Sequence, residues 1–230
     1  MTQQNAPPKG CPTQWPKACS MQSWQKMARR IRVPLGFITG ALYVFEVASR
    51  PAHPAAIAWS LALVLPGLAL RAAASGTVKK NRELTVTGPY AYTRNPLYLG
   101  SMLIAAGFAV ALLSWPLALV LAAGFAIIYI PVIAGEEQFL RATFAGFDDY
   151  CRTVPRLAPR LIPRLTPAKA QIDQTVAHDV TPGSGTPSTG FSLALYLKHR
   201  EYNAAIGAAL LYLSLLYLRP ALDLLFDRLR

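Results

Sequence analysis

Charge is what this sequence has least of. Only 15% of its 230 residues are Asp, Glu, Lys or Arg, against about a quarter in a soluble globular domain, while 53% are hydrophobic. Between residues 97 and 134 no charged side chain occurs at all. Acidic residues are the scarcer sign, 11 against 23 Lys and Arg, which leaves a net charge of +12. Such an excess on a soluble domain would point to nucleic acid. Here the basic residues flank membrane-length apolar runs, where Lys and Arg are expected on the cytosolic side, so no nucleic-acid partner is expected. Cysteine and histidine are also sparse, at Cys11, Cys19, Cys151, His53, His178 and His199. None is spaced as a CxxC or a His pair, so a zinc or di-iron site has no ligand set and no metal is expected. A cleavable signal is not expected either, because a polar, Pro- and Gln-containing tail precedes the first apolar run. There is no internal repeat.

What remains is a chain of apolar runs. A single helix over 97–134 would reach about 57 Å, nearly twice a bilayer core of about 30 Å. It must therefore double back, and Ser114-Trp115-Pro116 marks the turn: Pro116 suits a helix start and Trp115 a membrane interface. Residues 97–113 and 116–134 are thus expected to form a transmembrane hairpin. Two shorter spans are expected upstream, at 33–48 and 54–70, and a fifth at 203–218. Gly36 and Gly40 have the small-xxx-small spacing of close helix contact. Pro66-Gly67 and Pro131 are expected to kink the second and fourth spans. The fold class is all-α: a polytopic membrane bundle of about five helices with a cytosolic cofactor-binding cap. Nineteen of the 23 Lys and Arg fall in the tail through Arg32, in 71–96 and in 135–200. That bias puts the N-terminus in the cytosol of a multi-pass protein and fits either a bacterial inner membrane or the endoplasmic reticulum; the bacterial inner membrane is the expectation. The organisation expected is a flexible basic tail (1–32), a membrane core (33–163), a Pro/Gly/Ser/Thr-rich linker (164–190) and a C-terminal helical segment (191–230).

The hairpin has a chemical consequence. Both outer ends return to one interface, so Tyr90, Tyr92, Arg94 and Asn95 must lie near Glu136 and Glu137, the first charges after the silent run. Asn95-Pro96 is an N-cap and N1 combination, so the third helix should start there. Its free N–H groups favour an anionic ligand group, and Arg94 adds a carboxylate or phosphate fork. Tyr98 offers an aromatic wall, and Glu136 or Glu137 can hold an ammonium or hydroxyls. The blander alternative is that the Arg and Tyr residues are interfacial anchors and the Glu pair a solvated helix end answered by Arg141.

The stretch "GPYAYTRNPLYLG" (88–100), followed across the hairpin by "EEQFLRATFAGFDDYCRTVPRLAP", resembles the isoprenylcysteine carboxyl methyltransferases and related phospholipid methyltransferases, over about residues 71–163. The resemblance implies an integral-membrane enzyme using S-adenosylmethionine. The cofactor would contact Tyr92, Arg94, Asn95, Pro96, Tyr98, Gly100, Glu136 and Glu137, Gly100 by permitting close approach. A lipid or other lipophilic acceptor (carboxylate, amine or thiol) would arrive from the bilayer, with Arg152 and Arg156 as the catalytic arginines.

Three positions depart from that pattern. Asn95 stands where the family has His, Phe147 where Tyr is usual, and Thr153 where a basic residue precedes Val-Pro. Headgroup anchoring is the plainer role for Arg152 and Arg156. Two other functions fit the same residues: a sterol-reductase-type enzyme using NADPH, and a catalytically silent protein of the same fold.

Overall fold

The computed structural model describes residues 18–50, 53–78, 84–144, 146–160 and 191–229, and its elements are all helical, with no strand among those residues. Helix α1 spans Ala18–Ser49, α2 Pro54–Thr77, α3 Pro96–Ala111 and α4 Trp115–Thr143. A 3₁₀ turn, Gly88–Ala91, precedes α3, and a short α5, Phe147–Thr153, follows α4. Two helices close the chain: α6, Leu193–Lys198, and α7, Tyr202–Leu229.

Helices α2 and α4 are long and apolar enough to cross a membrane, and Pro34–Ser49, Pro96–Ala111 and Tyr202–Leu218 are shorter apolar helical stretches. Together they form a membrane helix bundle. Several helices outrun their apolar segments. Helix α1 begins at Ala18, so the basic cluster Lys26–Arg32 lies on a helix and not in a loose tail. Pro66 and Pro131 sit inside uninterrupted helices. The expected linker, 164–190, and the first residues of the tail lie outside the described residues.

The turn at Ser114 follows from its local chemistry. Ser114 Oγ accepts a hydrogen bond from Leu117 N at 3.2 Å, a side-chain cap on α4, and Trp115-Pro116 fill the first helical positions. Leu113 takes a left-handed conformation (φ 48°) to end α3, a place where glycine is usual. At this same end Arg50 pairs with the buried Glu46 at 2.9 Å and donates to Leu113 O at 3.3 Å.

Although α3 and α4 are hairpin neighbours in sequence, α3 packs most extensively on α2. Glycines explain it. A Cβ on Gly100 would lie 2.7 Å from Gly67 O, and one on Gly67 2.8 Å from Gly100 O. At Gly107 it would meet Val64 Cγ2 at 2.5 Å and Ser60 O at 3.0 Å. The two backbones are therefore in direct contact, which maximises dispersion where lipid removes the hydrophobic drive for association. The expected small-xxx-small contact at Gly36 and Gly40 is not made: an added Cβ there meets no atom within 4 Å.

Two apolar clusters hold the structure. Tyr43, Val47, Val64, Phe108, Leu112, Leu117 and Leu215 join α1, α2, α3, α4 and α7. Val86, Phe147, Tyr150 and Val154 form a second cluster under the polar end, backed by Leu140 and Phe144. Phe147, 1% exposed, is its centre. A phenyl ring fits that position without asking for the hydrogen-bond partner a buried tyrosine hydroxyl needs.

Candidate functional site

The end of α2, the start of α3, the last turns of α4 and the start of α7 lie together at one end of the bundle. The segment 84–95 reaches α3 through the 3₁₀ turn, where Gly88 (φ 60°) adopts the left-handed backbone open to glycine. This segment is stitched to the chain after α5. Arg94 N donates to Pro155 O at 2.9 Å, and Arg160 N to Tyr92 O at 3.0 Å. Thr93 Oγ1 donates to Arg156 O at 3.2 Å, and Tyr150 OH to Tyr90 O at 2.7 Å. Burial pushes the Tyr90 and Tyr150 hydroxyls up from their ordinary pKa, so both stay protonated donors.

Asn95 occupies the N-cap position of α3, and Pro96 its first turn. Its side chain does not cap the helix, which corrects the expected role. The Nδ2 amide instead donates to Arg156 O at 3.0 Å. Asparagine here is a clamp on the 154–160 segment, and the first N–H groups of α3 carry no side-chain cap.

Glu137 is the electrostatic centre. It is 7% exposed, and its Oε1 lies 3.2 Å from Arg94 Nη1 and 3.0 Å from Arg156 Nε. Its Oε2 accepts from Arg156 Nη2. Two guanidinium groups thus share one carboxylate in a partly desolvated place. Arg94 Nη1 also contacts Cys151 Sγ at 2.8 Å, while Arg94 Nε is buried with no hydrogen-bond partner. Glu136, one residue earlier, faces outward and accepts from Tyr98 OH at 2.8 Å. Its carboxylate is exposed and makes no ion pair shown among the described residues.

The other expected residues divide. Tyr92 is 40% exposed and enters the network through its backbone. Gly100 faces Gly67 and Arg71 of α2, so its lack of a side chain serves helix packing. Arg156 joins the cluster. Arg152 stands apart, exposed, with Asp149 at 3.4 Å.

Sequence reasoning missed a second polar group beside the first. Arg71, near the end of α2, meets Glu201 just before α7: Nη2–Oε2 is 2.6 Å and Nε–Oε2 3.1 Å. Arg71 Nη1 also donates to Ser101 Oγ. An Arg in the last turns of one apolar helix and a Glu at the mouth of another carry no local motif. Their only signal is charge placed next to apolar runs. Below Arg71 opens a cavity of ≈ 640 Å³ between α1, α3, α4 and α7. Its wall is almost wholly apolar, and Arg71 is its one charged side chain among the described residues. An aromatic row connects it to the site: Phe125 and Tyr129 on the wall have ring centroids 4.6 Å apart, and Tyr129 and Tyr98 4.8 Å.

Comparisons with known proteins bear on the same helices. The chain is 41% identical over 77 residues to a nickel-cobalt-cadmium resistance protein of Alcaligenes xylosoxydans xylosoxydans. Over the same length it is 39% identical to a cobalt-zinc-cadmium resistance protein of Cupriavidus metallidurans. In each case the match takes in 34% of this chain and 36% of the relative, so the chain spans about a third of the curated relatives it matches. No solved structure matches significantly. The family model for phospholipid methyltransferase matches residues 55–146. That segment, holding α3, α4 and nearly all of α2 with the polar flanks of the hairpin, is where the chain is similar to the phospholipid methyltransferase family.

Proposed function

We propose that this protein is a membrane methyltransferase that moves a methyl group from S-adenosylmethionine to a lipophilic acceptor, a carboxylate, amine or thiol, at the cytosolic face. One observation carries the reading: within the family-matched segment, the two polar flanks of a charge-free hairpin close on each other through Arg94–Glu137 and Tyr98–Glu136.

The residues present fit such a cofactor. Arg94 keeps a buried, unpartnered Nε, a donor suited to a carboxylate. The uncapped N-terminus of α3 adds donors of the same preference. Glu136 is the carboxylate free to accept from an ammonium or ribose hydroxyls, since both oxygens of Glu137 are engaged by arginine. Tyr98 supplies an aromatic wall. When bound, S-adenosylmethionine supplies an electrophilic methyl group, and transfer needs alignment and a desolvated nucleophile. The apolar cavity beside Tyr129 provides the desolvated approach for the acceptor. Arg156, held by Glu137, is the arginine we assign to orienting it, and Arg152 the one assigned to lipid headgroups outside. The Lys and Arg bias supports a cytosolic position for this end.

Thermal unfolding of the detergent-solubilised protein tests the reading. S-adenosylhomocysteine is expected to raise the midpoint and NADPH to leave it unchanged. A shift with NADPH alone would overturn methyl transfer in favour of a reductase. A shift with neither, together with no radiolabelled methyl transfer into lipid extracts, would favour a silent scaffold.

A further inference from the structure

The cavity has a depth as well as a volume. On α4 its wall runs from Tyr129, beside Tyr98, to Leu117, about 18 Å at 1.5 Å per residue. At the far end Tyr43, Phe108 and Leu117 belong to the buried core. Tyr43 OH donates there to Leu211 O at 2.8 Å, tying α1 to α7. The cavity is therefore an open-sided groove with a polar mouth, ending on buried core residues and long enough for one hydrocarbon chain. Ligand pockets of roughly 300–1,000 Å³ are the usual range.

Glycines keep the groove open. Gly36 and Gly40 of α1, both exposed on its open side, and Gly207 of α7 line it, and a Cβ at any of the three meets no atom within 4 Å. They contrast with Gly67, Gly100 and Gly107, where a Cβ would collide with backbone or side chain. The first set makes no close helix contact, so their small size serves space and not packing. Gly40 lies one turn from Tyr43 at the buried end of the groove, and Gly36 a further turn toward the mouth. Both α1 and α7 fall outside the family-matched segment 55–146.

We propose that Gly40, Gly36 and Gly207 set the length of the apolar chain that the acceptor carries, so that acceptor choice resides in the two helices flanking the family segment. The identity of the occupant rests on the methyl-transfer reading; the length selection does not. A side chain at Gly40 shortens the groove from its buried end, and one at Gly36 obstructs it near the mouth.

The test is binding of straight-chain fatty acids of stepped length to the full-length protein in nanodiscs, without cofactor. Wild type is expected to show affinity rising with chain length to a plateau. Gly40→Leu should lose at least tenfold for the longest chains while short ones bind as before, and Gly36→Leu should weaken all lengths. Gly207→Val provides a second route should Gly40→Leu fail to fold, with the same loss for long chains expected. A wild-type profile flat in chain length, as for a groove filled by any bilayer lipid, overturns the proposal, as do unchanged profiles in the variants. The thermal response to S-adenosylhomocysteine, measured on the same proteins, reports separately on methyl transfer: its absence with length selection intact would sink that reading alone.

Discussion

Arg94 and Glu137 stand 3.2 Å apart across the two ends of a run that holds no charge. The contact is mostly buried, with side-chain exposures of 14% and 9%. A carboxylate so placed, with Arg156 on its other side, stabilises the polar end only while its partners remain. Removing it takes from Arg94 its ion-pair partner.

Glu137→Gln should therefore destabilise the protein by about 3 kcal/mol, the lower part of the range for breaking a buried pair because Arg156 is partly exposed. Glu136→Gln should stay within about 0.5 kcal/mol, since Glu136 is solvated and an amide oxygen still accepts from Tyr98. Thermal and denaturant unfolding in detergent measure both. Equal effects in the two variants would show that Glu137 does not bind the end together.

Ligand affinity should separate the arginines differently. Arg94→Lys keeps the charge but loses the planar fork, and S-adenosylhomocysteine binding should weaken tenfold or more. Arg152→Lys should leave it unchanged, because Arg152 pairs with Asp149 away from the cluster. Titration calorimetry of the two variants checks this. Equal losses would place the cofactor on the other side of α5.

Much of this site was legible from amino-acid order because its logic is one-dimensional. An uncharged run too long for one crossing must fold, and Ser114 and Pro116 specify where. Once it folds, Arg94 and Glu137 must meet. What was not legible depends on contacts between non-neighbours. Asn95 looked like a cap, but the carbonyl of Arg156 captures its amide, and only the tertiary path of 154–160 reveals that. Gly36-Gly40 matched a packing motif more closely than Gly67, Gly100 and Gly107 did. Yet only the latter glycines face another backbone, since spacing says nothing about which helix lies opposite. Arg71 and Glu201 come from distant segments with no shared motif, and nothing short of the packing of α7 joins them.

The glycine contrast is itself testable. Gly67→Ala forces a methyl group to within 2.8 Å of Gly100 O, so α2 and α3 must separate, at a cost of roughly 1–3 kcal/mol. Gly40→Ala enters open space and should change stability by less than about 0.5 kcal/mol. A stable Gly67→Ala protein would mean that the two helices are not held by backbone contact.

The last prediction concerns Cys151, whose thiol sits under Arg94. Burial pushes its pKa above the ordinary value, an effect the Arg94 guanidinium opposes but does not cancel. The fold therefore prefers the neutral thiol. A group raised in this way contributes stability that is fully present below its unfolded pKa, about 8.5 for a thiol. That contribution is lost as pH rises through the folded value. Two outcomes follow. Alkylation of Cys151 by iodoacetamide, measured with Cys11 and Cys19 changed to serine, should be slower at pH 8 than for a small free thiol, because the thiolate is the nucleophile. Unfolding should become easier as the pH rises above about 8.5, and Cys151→Ser should flatten that part of the profile. Rapid alkylation at pH 7 would instead reveal a thiolate stabilised by Arg94, and would mean that the positive charge of the cluster outweighs its desolvation.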